Sequence, residues 1–566
     1  MAVASSVDSA LSGSRAKTSG IFVNRWSVFA AAIAILVCLP TLTIIYLALF
    51  PSENIWGHLF RTVLPDYVIT TLLLMAGVMV GTSLIGISTA WFVTHYEFPG
   101  RRLFTWMLLL PFAVPSYVLA YVYTDLLEFA GPVQSQLRDW FGWATKRDYY
   151  FPAIRSTGGA TMMLVLVLYP YVFLLARSAF IEQSSSVLEV AQVLGKSRSA
   201  RFFKVALPMA RPAIIIGISM ALMETLNDFG TVSYFAVQTL TLGIYDVWLG
   251  MGNLGGGAQI AALLLLLVFL LLSAERSSRK TQMVYQHGGS RMRPLRRKKL
   301  RGYRSAATVL LCLTPIILGF FVPLIVLVRY SIIYFSVSWT PEFKLAAIHS
   351  LTLATAAAII AVTVGVILSY SLRLQPNRFL RRLTSLATLG YAVPGVVLAL
   401  GIIIPFGWLD NTVDAFAREQ FGFSTGLILS GTVFALLFAY TVRFLAVAFG
   451  SVDASLRKIS PSMDDAARSL GKKPFTILRQ IHLPLMKGGL LTGVLIVFVD
   501  CMKELPATLL MRPFNYDTLA THVYQYASGE LIEQSALGAL LIVATGLLPV
   551  ILLSKSIDRT RKEKTE

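Results

Sequence analysis

Four carboxylates lie inside strongly apolar segments of the chain, where an isolated charge is costly. Glu224 and Asp228 are four residues apart, and Asp500 and Glu504 repeat that spacing in a second segment. Because residues four apart share a helix face, each pair predicts two carboxylates on one side of a span. Such groups by default face a cavity, and together they would offer a hard trivalent cation the oxygen ligands it prefers. The sequence therefore predicts a substrate pathway lined by these four residues.

A structural role for the same carboxylates stays open. They could pair with Lys503 or Asn227, or cap helices where the two segments break at Gly230 and Pro506. Arg443 is expected near the end of its own span, with its guanidinium reaching the membrane interface. The sequence leaves a metal site unknown.

Composition places most of the chain in lipid. Its 566 residues are 56% hydrophobic and 14% charged, against roughly 25% charged in a soluble protein. The net charge of +20 does not indicate nucleic-acid binding, because Lys and Arg gather in short loops between apolar runs, as membrane topology requires. The three cysteines lie in apolar stretches without paired spacing, which predicts neither a disulfide framework nor a zinc site.

Twelve apolar runs of about 20 residues, the length that crosses a bilayer, predict an all-α polytopic membrane protein. They fall into two tandem sets of six, near 28–49, 68–94, 103–127, 158–180, 212–235 and 257–273, then 306–329, 349–372, 383–404, 425–449, 489–511 and 536–554. Since each set has an even number of spans, the two units have the same orientation. A pseudo-two-fold axis along the membrane normal is therefore predicted.

The same pattern predicts the domain boundaries. The predicted segments are a cytoplasmic tail 1–26, a six-helix unit 27–273 with a loop 182–211, a basic linker 274–305, a second unit 306–554 with a loop 450–488, and a basic tail 555–566. Placing both termini, the linker and both loops on the cytoplasmic side puts most Lys and Arg inside, as the positive-inside rule demands.

The two loops carry the same pattern 276 residues apart. The first contains Glu189, Ala191, Gly195, Leu207 and Pro208, and the second contains Asp465, Ala467, Gly471, Leu483 and Pro484 at identical spacing. Each loop predicts a short helix, a turn at a glycine with positive φ, and a second short helix that the proline separates from the next span. Both carboxylate pairs follow their Leu-Pro by 16 and 20 residues, so they are expected at equal depth.

These loops, which we call the first and second elbow, resemble the EAA loop of permease subunits of bacterial binding-protein-dependent ABC importers. The resemblance implies that each elbow couples the permease to one of two copies of a cytoplasmic ABC ATPase. It also implies a periplasmic or extracellular substrate-binding protein and location in the bacterial inner membrane. Val190 and Asp465 are mild departures from that motif.

Within that family the fused layout looks most like ferric-iron importer permeases. This likeness is carried by segments 226–235, 243–252, 502–507 and 512–519. Fused permeases for thiamine, polyamines or phosphonates share the architecture and stay as alternatives.

No Walker A pattern occurs in the chain. We therefore expect a transport subunit without an ATPase site or cofactor of its own, with ATP and Mg²⁺ used by the partner. A twelve-helix secondary transporter is the rival function, but it has no need of paired elbows. A membrane enzyme would need a nucleophile–base set or a metal cluster, and the sequence indicates neither.

Overall fold

The computed structural model describes residues 25–51, 53–183, 190–280, 297–375 and 378–562. Eleven helices of this part are long and apolar enough to cross a membrane, and the helix pair 101–113 and 116–141, bent by 89°, is a twelfth candidate. The predicted all-α polytopic fold is confirmed. Since lipid offers no hydrogen bonds to the backbone, apolar runs of this length satisfy their own N–H and C=O groups as helices.

Six spans form the first half. Their helices are Arg25–Leu49 (first), Leu64–His95 (second), Arg101–Met107 with the 3₁₀ turn Leu110–Ala113 and Ser116–Leu127 (third), Thr157–Glu182 (fourth), Arg198–Arg201 with the π-helix Phe202–Ala206 and Leu207–Asn227 (fifth), and Leu254–Lys280 (sixth).

The second half repeats this order. Its helices are Tyr303–Ile316 with the π-helix Ile317–Phe321 and Val322–Ile333 (seventh), Pro341–Leu374 (eighth), Arg378–Ala387 with the 3₁₀ turn Thr388–Ala392 and Gly395–Phe421 (ninth), Val433–Leu456 (tenth), Pro474–Ile477 with the π-helix Leu478–His482 and Leu483–Met502 (eleventh), and Ile532–Lys562 (twelfth).

Shorter elements connect the spans. They are the helices Trp56–Arg61, Pro132–Phe141, Gly230–Tyr234, Leu240–Tyr245, Phe335–Ser338, Pro461–Ser469, Pro506–Met511 and Leu519–Ser528, and the π-helix Asp246–Gly250. Two-residue strands Tyr96–Glu97 and Lys298–Lys299 pair in parallel, so the end of the predicted linker is attached to the loop between the second and third spans.

Matched prolines break the third and ninth spans at the same place. A 3₁₀ turn ends at Ala113 or Ala392, the next residue is extended, and a new helix begins directly after Pro115 or Pro394. Proline disfavours the helical conformation in the residue before it, which explains the extended valine in both copies. The breaks leave backbone N–H groups after each proline outside the helical hydrogen-bond ladder.

The separation predicted after each elbow is wrong. Pro208 and Pro484 lie inside continuous helices, 199–227 and 474–502. In both copies a π turn precedes the proline, so that Leu207 N–H donates to the Phe202 carbonyl and Leu483 N–H to the Leu478 carbonyl. The wider turn accommodates a residue that has no N–H of its own. Each elbow is therefore joined to its span by unbroken helix.

The opening span of each half packs against the other half. Ser27 Oγ in the first span donates to Gln375 Oε1 beyond the eighth span at 2.6 Å. Tyr123 Oη in the third span donates to the Leu318 carbonyl of the seventh span at 2.8 Å. The two six-helix units defined by the sequence therefore do not pack as separate bodies, because the opening span of each one contacts the other.

Candidate functional site

A cavity of about 100 Å³ lies between the two halves. Its walls come from the third, fourth and fifth spans of the first half and the ninth, tenth and eleventh spans of the second half. All four carboxylates singled out from the sequence line it: Glu224, Asp228, Asp500 and Glu504. The fold therefore brings together, from both halves, residues that the sequence places 276 positions apart.

Asp228 is fully engaged by neutral donors of its own half. It follows the last residue of the fifth span and accepts Ser116 Oγ at 2.5 Å. Thr231 donates to it through its N–H at 3.0 Å and its hydroxyl at 2.9 Å, and Val232 N–H donates at 3.2 Å. Asp228 thus caps the helix that starts at Gly230, which is a structural role the sequence had left open.

Glu504 occupies the matched position but is neutralised by a cation. Its Oε1 lies 3.3 Å from Arg443 Nη1 and accepts Ala507 N–H at 3.1 Å. The expectation that Arg443 reaches the membrane interface is wrong, because Arg443 is 5% exposed and lies in the middle of the tenth span. Its central position in an apolar helix was the sequence signal for an interior partner. Gly395 makes room for it, since a Cβ there would lie 2.6 Å from Arg443 Nη1.

The other carboxylate pair, Glu224 and Asp500, has fewer partners. Glu224 Oε1 accepts the hydroxyl of Tyr391, which comes from the opposite half, at 2.8 Å. Asp500 Oδ1 lies 3.0 Å from Lys503 Nζ. Lys503 in turn lies over the ring of Phe112 in the first half, 4.7 Å from its centroid. The Tyr391–Glu224 and Lys503–Phe112 contacts therefore join the two halves across the cavity.

A backbone contact completes this interface. Gly395 N–H, exposed where the ninth span restarts, donates to Asn227 Oδ1 at 2.9 Å. Sequence reasoning did not single out Tyr391, Gly395 or Ser116 as site residues. Tyr391 lies three residues before Pro394, Gly395 directly follows it, and Ser116 directly follows Pro115, so the repeated proline was the available signal.

The cavity holds four carboxylates against two cations, Arg443 and Lys503, so its formal charge is negative. Among the described residues, no three His, Cys, Asp or Glu side chains converge as a metal site would require. A pathway role for the four carboxylates stays a prediction.

The two elbows have the same backbone turn. Gly195 and Gly471 have φ of +73° and +72°, and no atom of the described residues lies within 4 Å of a Cβ built on either. Lys196 N–H donates to the Ala191 carbonyl as Lys472 N–H donates to that of Ala467. This 6→1 hydrogen bond, with a 5→2 bond beside it, is the Schellman arrangement that ends a helix at glycine. The predicted helix–glycine bend is confirmed, while Glu189 lies outside the described residues.

Large apolar side chains at both elbows are exposed. Val193 and Leu194 are 87% and 71% exposed in the first elbow, and Leu470 is 78% exposed in the second. The Asp465 side chain is exposed as well, whereas Ala467 is buried. Exposed apolar groups at a bend that is rigidly joined to a span suit a surface covered by another protein.

The second elbow is tied to the spans by charge. Arg373, at the end of the eighth span, places Nε 2.6 Å from Asp464 Oδ2 and donates to the Leu456 carbonyl at 2.7 Å. His482 Nε2 lies 2.6 Å from Asp464 Oδ1. Burial raises the pKa of Asp464, but its hydrogen bonds with Arg373 and His482 outweigh burial and hold the pKa below its ordinary value. An ionised Asp464 thus links the elbow to two spans.

The comparisons with known proteins agree with this architecture. The family model "Binding-protein-dependent transport system inner membrane component" matches twice, at residues 82–276 and 361–563. The chain belongs to this family. Its two matches cover well over half of the sequence and correspond to the two halves, so this multi-pass permease contains two copies of the family's unit in one chain.

Several relatives resemble this permease. An Fe(3+)-transport system permease protein of Haemophilus influenzae is 26% identical over 500 residues, covering 88% of this chain and 91% of the relative. A 2-aminoethylphosphonate transport system permease protein, assigned as putative, of Salmonella typhimurium is 28% identical over 205 residues, 36% of this chain and 71% of the relative. A sulfate transport system permease protein of Escherichia coli is 29% identical over 152 residues, 27% and 51% of the two chains.

Proposed function

We propose that this permease moves ferric iron, delivered by an external binding protein, into the cytoplasm. The observation that carries the proposal is the likeness to the Haemophilus influenzae ferric permease, which extends over both halves and nearly the whole length of both chains. The negatively charged cavity supports it, because a trivalent cation leaving water needs compensating charge.

ATP hydrolysis is proposed to occur on a separate ATPase that binds Mg²⁺ and ATP, with no cofactor in this chain. Two elbows with the same turn and exposed apolar side chains fit two copies of one ATPase. The distribution of Lys and Arg supports placing the elbows and both termini on the cytoplasmic face. We expect one permease chain per two ATPase chains in the purified complex, and a measured two-to-two ratio would contradict this.

The direct test is transport by the reconstituted complex. The full chain, with the ATPase that co-purifies with it, is placed in proteoliposomes and supplied with binding protein loaded with radioactive Fe³⁺. ATP-dependent accumulation of iron is the expected result. A permease that purifies without an ATPase and moves substrate along an ion gradient would instead identify a secondary transporter.

The carboxylates allow a finer test of the pathway. Glu224 and Asp500 have fewer partners than Asp228 and Glu504, so the pair Glu224→Gln and Asp500→Asn removes charge with less damage to the fold. We expect iron uptake per folded permease to fall strongly in that double variant. Asp228→Asn with Glu504→Gln should mainly lower the yield of folded protein, since it disturbs two helix caps. Unchanged normalised uptake in both double variants would remove the carboxylates from the pathway.

A zwitterionic phosphonate is the second candidate substrate. One relative carries the name of a 2-aminoethylphosphonate permease. Arg443 lines the same cavity, and its Nε has no hydrogen-bond partner among the described residues, so the cavity contains a cationic group as well as carboxylates. Radioactive 2-aminoethylphosphonate with its own binding protein, tested beside iron in the same proteoliposomes, decides between them.

A further inference from the structure

Three buried tyrosines of the first half lie between the cavity and Arg155. Tyr117 and Tyr121 are one turn apart on the third span, and Tyr234 ends the short helix after the fifth span. They are 5%, 2% and 9% exposed. The hydroxyl oxygens of Tyr117 and Tyr121 have no hydrogen-bond partner within the described part of the chain. The hydroxyl of Tyr234 interacts with that of Thr124.

The three rings form a continuous line, which we call the tyrosine column. Tyr117 lines the cavity, its ring centroid is 5.8 Å from that of Tyr121, and Tyr121 is 4.6 Å from Tyr234. Above Tyr234, at 5.0 Å, lies the guanidinium of Arg155, which is paired with Glu128 and Glu530 at the surface. The column therefore connects the cavity with an acidic surface cluster.

The unpartnered hydroxyls of Tyr117 and Tyr121 are unfavourable for stability, because each has lost its water partners on burial. Two other tyrosines do find partners: Tyr123 donates to the Leu318 carbonyl and Tyr330 to Asp125. Tyr169 is another buried tyrosine whose hydroxyl has no partner among the described residues, but it neither lines the cavity nor belongs to the column.

The second half shows that packing does not require these hydroxyls. The repeat places Val396, Leu400 and Leu510 at the positions of Tyr117, Tyr121 and Tyr234. Val396 and Leu400 are fully buried, so aliphatic side chains fill the same places in the duplicated unit. The phenol oxygens of the first half therefore call for a role other than filling space.

We propose that the tyrosine column is a line of oxygen ligands for a hard, highly charged cation on its way to the cavity. Each neutral phenol oxygen keeps a lone pair that replaces one water ligand of the ion. The tyrosine column thereby lowers the free energy needed to remove water from the ion before it reaches the carboxylates. That free energy is large for any uncompensated charge. The inference rests on the proposed iron transport and names residues that act before the cavity in that pathway.

Tyrosine-to-phenylalanine substitution tests the proposal cleanly, because it deletes only the oxygen and leaves the packed ring. We compare Tyr117→Phe, Tyr121→Phe and the triple variant with Tyr234→Phe. Tyr169→Phe is the matched control, since it removes a buried unpartnered hydroxyl away from the column. Each permease is reconstituted with its co-purifying ATPase and supplied with Fe³⁺-loaded binding protein.

The triple variant is expected to lose about tenfold or more in initial iron uptake per folded permease, equivalent to about 1.4 kcal/mol in the transport barrier. Its melting temperature in detergent should be unchanged or higher, and binding-protein-stimulated ATP hydrolysis should persist. Tyr169→Phe should match wild type in uptake. If the triple variant gives too little folded protein, the two single variants decide, each with a several-fold loss expected.

Uptake within twofold of wild type in all of these variants overturns the ligand role and leaves iron transport standing. Loss of uptake together with loss of stimulated ATP hydrolysis identifies a structural or gating role and also overturns the proposal. Failure of the wild-type complex to move iron at all removes both the proposed function and the column's role in it.

Discussion

The two halves of the permease place equivalent carboxylates at the cavity and stabilise them by different means. Asp228 in the first half is surrounded by hydroxyl and backbone donors, chiefly Ser116 and Thr231. Glu504 in the second half is paired with Arg443. The two halves therefore share the helix break and the carboxylate but differ in the groups that stabilise it, neutral donors in the first half and a cation in the second.

Three positions explain how the difference is accommodated. Ser116 of the first half corresponds to Gly395, and Val167 corresponds to Arg443. The missing side chain at Gly395 leaves the space that the guanidinium fills. Asn227 likewise corresponds to Lys503. Both cations of the cavity thus come from the second half, where they balance Asp500 and Glu504, and the two halves cannot be exchanged residue by residue.

The elbows differ in a similar way. The second elbow is held by Arg373 through Asp464, whereas the repeat places Thr94 at the position of Arg373. On the first side the Trp91 ring packs against Phe202, with centroids 4.9 Å apart. Identical spacing in sequence therefore gives the same turn with a charged attachment in one half and an aromatic one in the other.

The largest expected effect is at Arg443. Arg443→Val copies the first half and leaves Glu504 buried without its cation, which should destabilise the folded permease by roughly 3–5 kcal/mol. Adding Gly395→Ser supplies the hydroxyl that the first half uses and should restore part of the loss. The melting temperature and the yield of monodisperse protein in detergent measure the loss in the single variant and its recovery in the double variant. A stable single variant would show that the ion pair is not what holds Glu504.

Gly395→Ser alone is the control for that pair. Its Cβ would lie 2.6 Å from Arg443 Nη1, so we expect it to destabilise the wild-type background while helping the Arg443→Val background. Additive effects of the two substitutions would contradict the proposed equivalence of the halves.

The next effect is at the second elbow. Arg373→Met removes the ion pair with Asp464 and the donors to two loop carbonyls, at a cost of about 3 kcal/mol for a mostly buried pair. ATP hydrolysis should then continue with less substrate moved per ATP, because the second elbow is no longer fixed to the eighth span. Thr94→Val, at the matched position, should leave this ratio near wild type. Equal loss in both variants would mean that the attachments are equivalent.

A smaller and symmetric effect is expected at the elbow glycines. Val at Gly195 or Gly471 would have to adopt a left-handed backbone conformation, at a cost of about 1–2 kcal/mol per elbow. Because space around each Cβ is open, the spans should still fold while transport is lost in the double variant. Asn, which tolerates this conformation, is the control at both positions. Full transport by the double Val variant would exclude the bends from coupling.

The smallest effect should be the same in both halves. Leu240 N–H donates to Thr71 Oγ1 at 2.9 Å, and Leu519 N–H donates to Ser350 Oγ at 2.7 Å. Thr71→Val and Ser350→Ala each leave one buried N–H without its acceptor, at about 1 kcal/mol. Similar shifts in melting temperature are expected. A large difference between them would show that the halves diverge even where their hydrogen bonds match.

The amino-acid sequence by itself determined the features that depend on local spacing. The length of the apolar runs predicted the spans. The repeated glycine predicted both bends, because whether a residue can adopt a positive φ depends on its own side chain. Both carboxylate pairs follow their Leu-Pro by the same number of residues, which predicted that they lie at the same depth in the membrane, since the rise per helical residue is constant. The predicted break at Pro208 failed because a π turn, which spacing does not reveal, accommodates the proline.

Tertiary structure alone decided the partners across the interface. The pairing of Arg443 with Glu504, the contact of Tyr391 with Glu224 and the packing of each opening span on the opposite half join residues that are far apart in the chain. Such contacts depend on how whole helices cross and on which side chain leaves room for another. Gly395 illustrates this: its role is visible only when the guanidinium that occupies its empty side-chain space is in place.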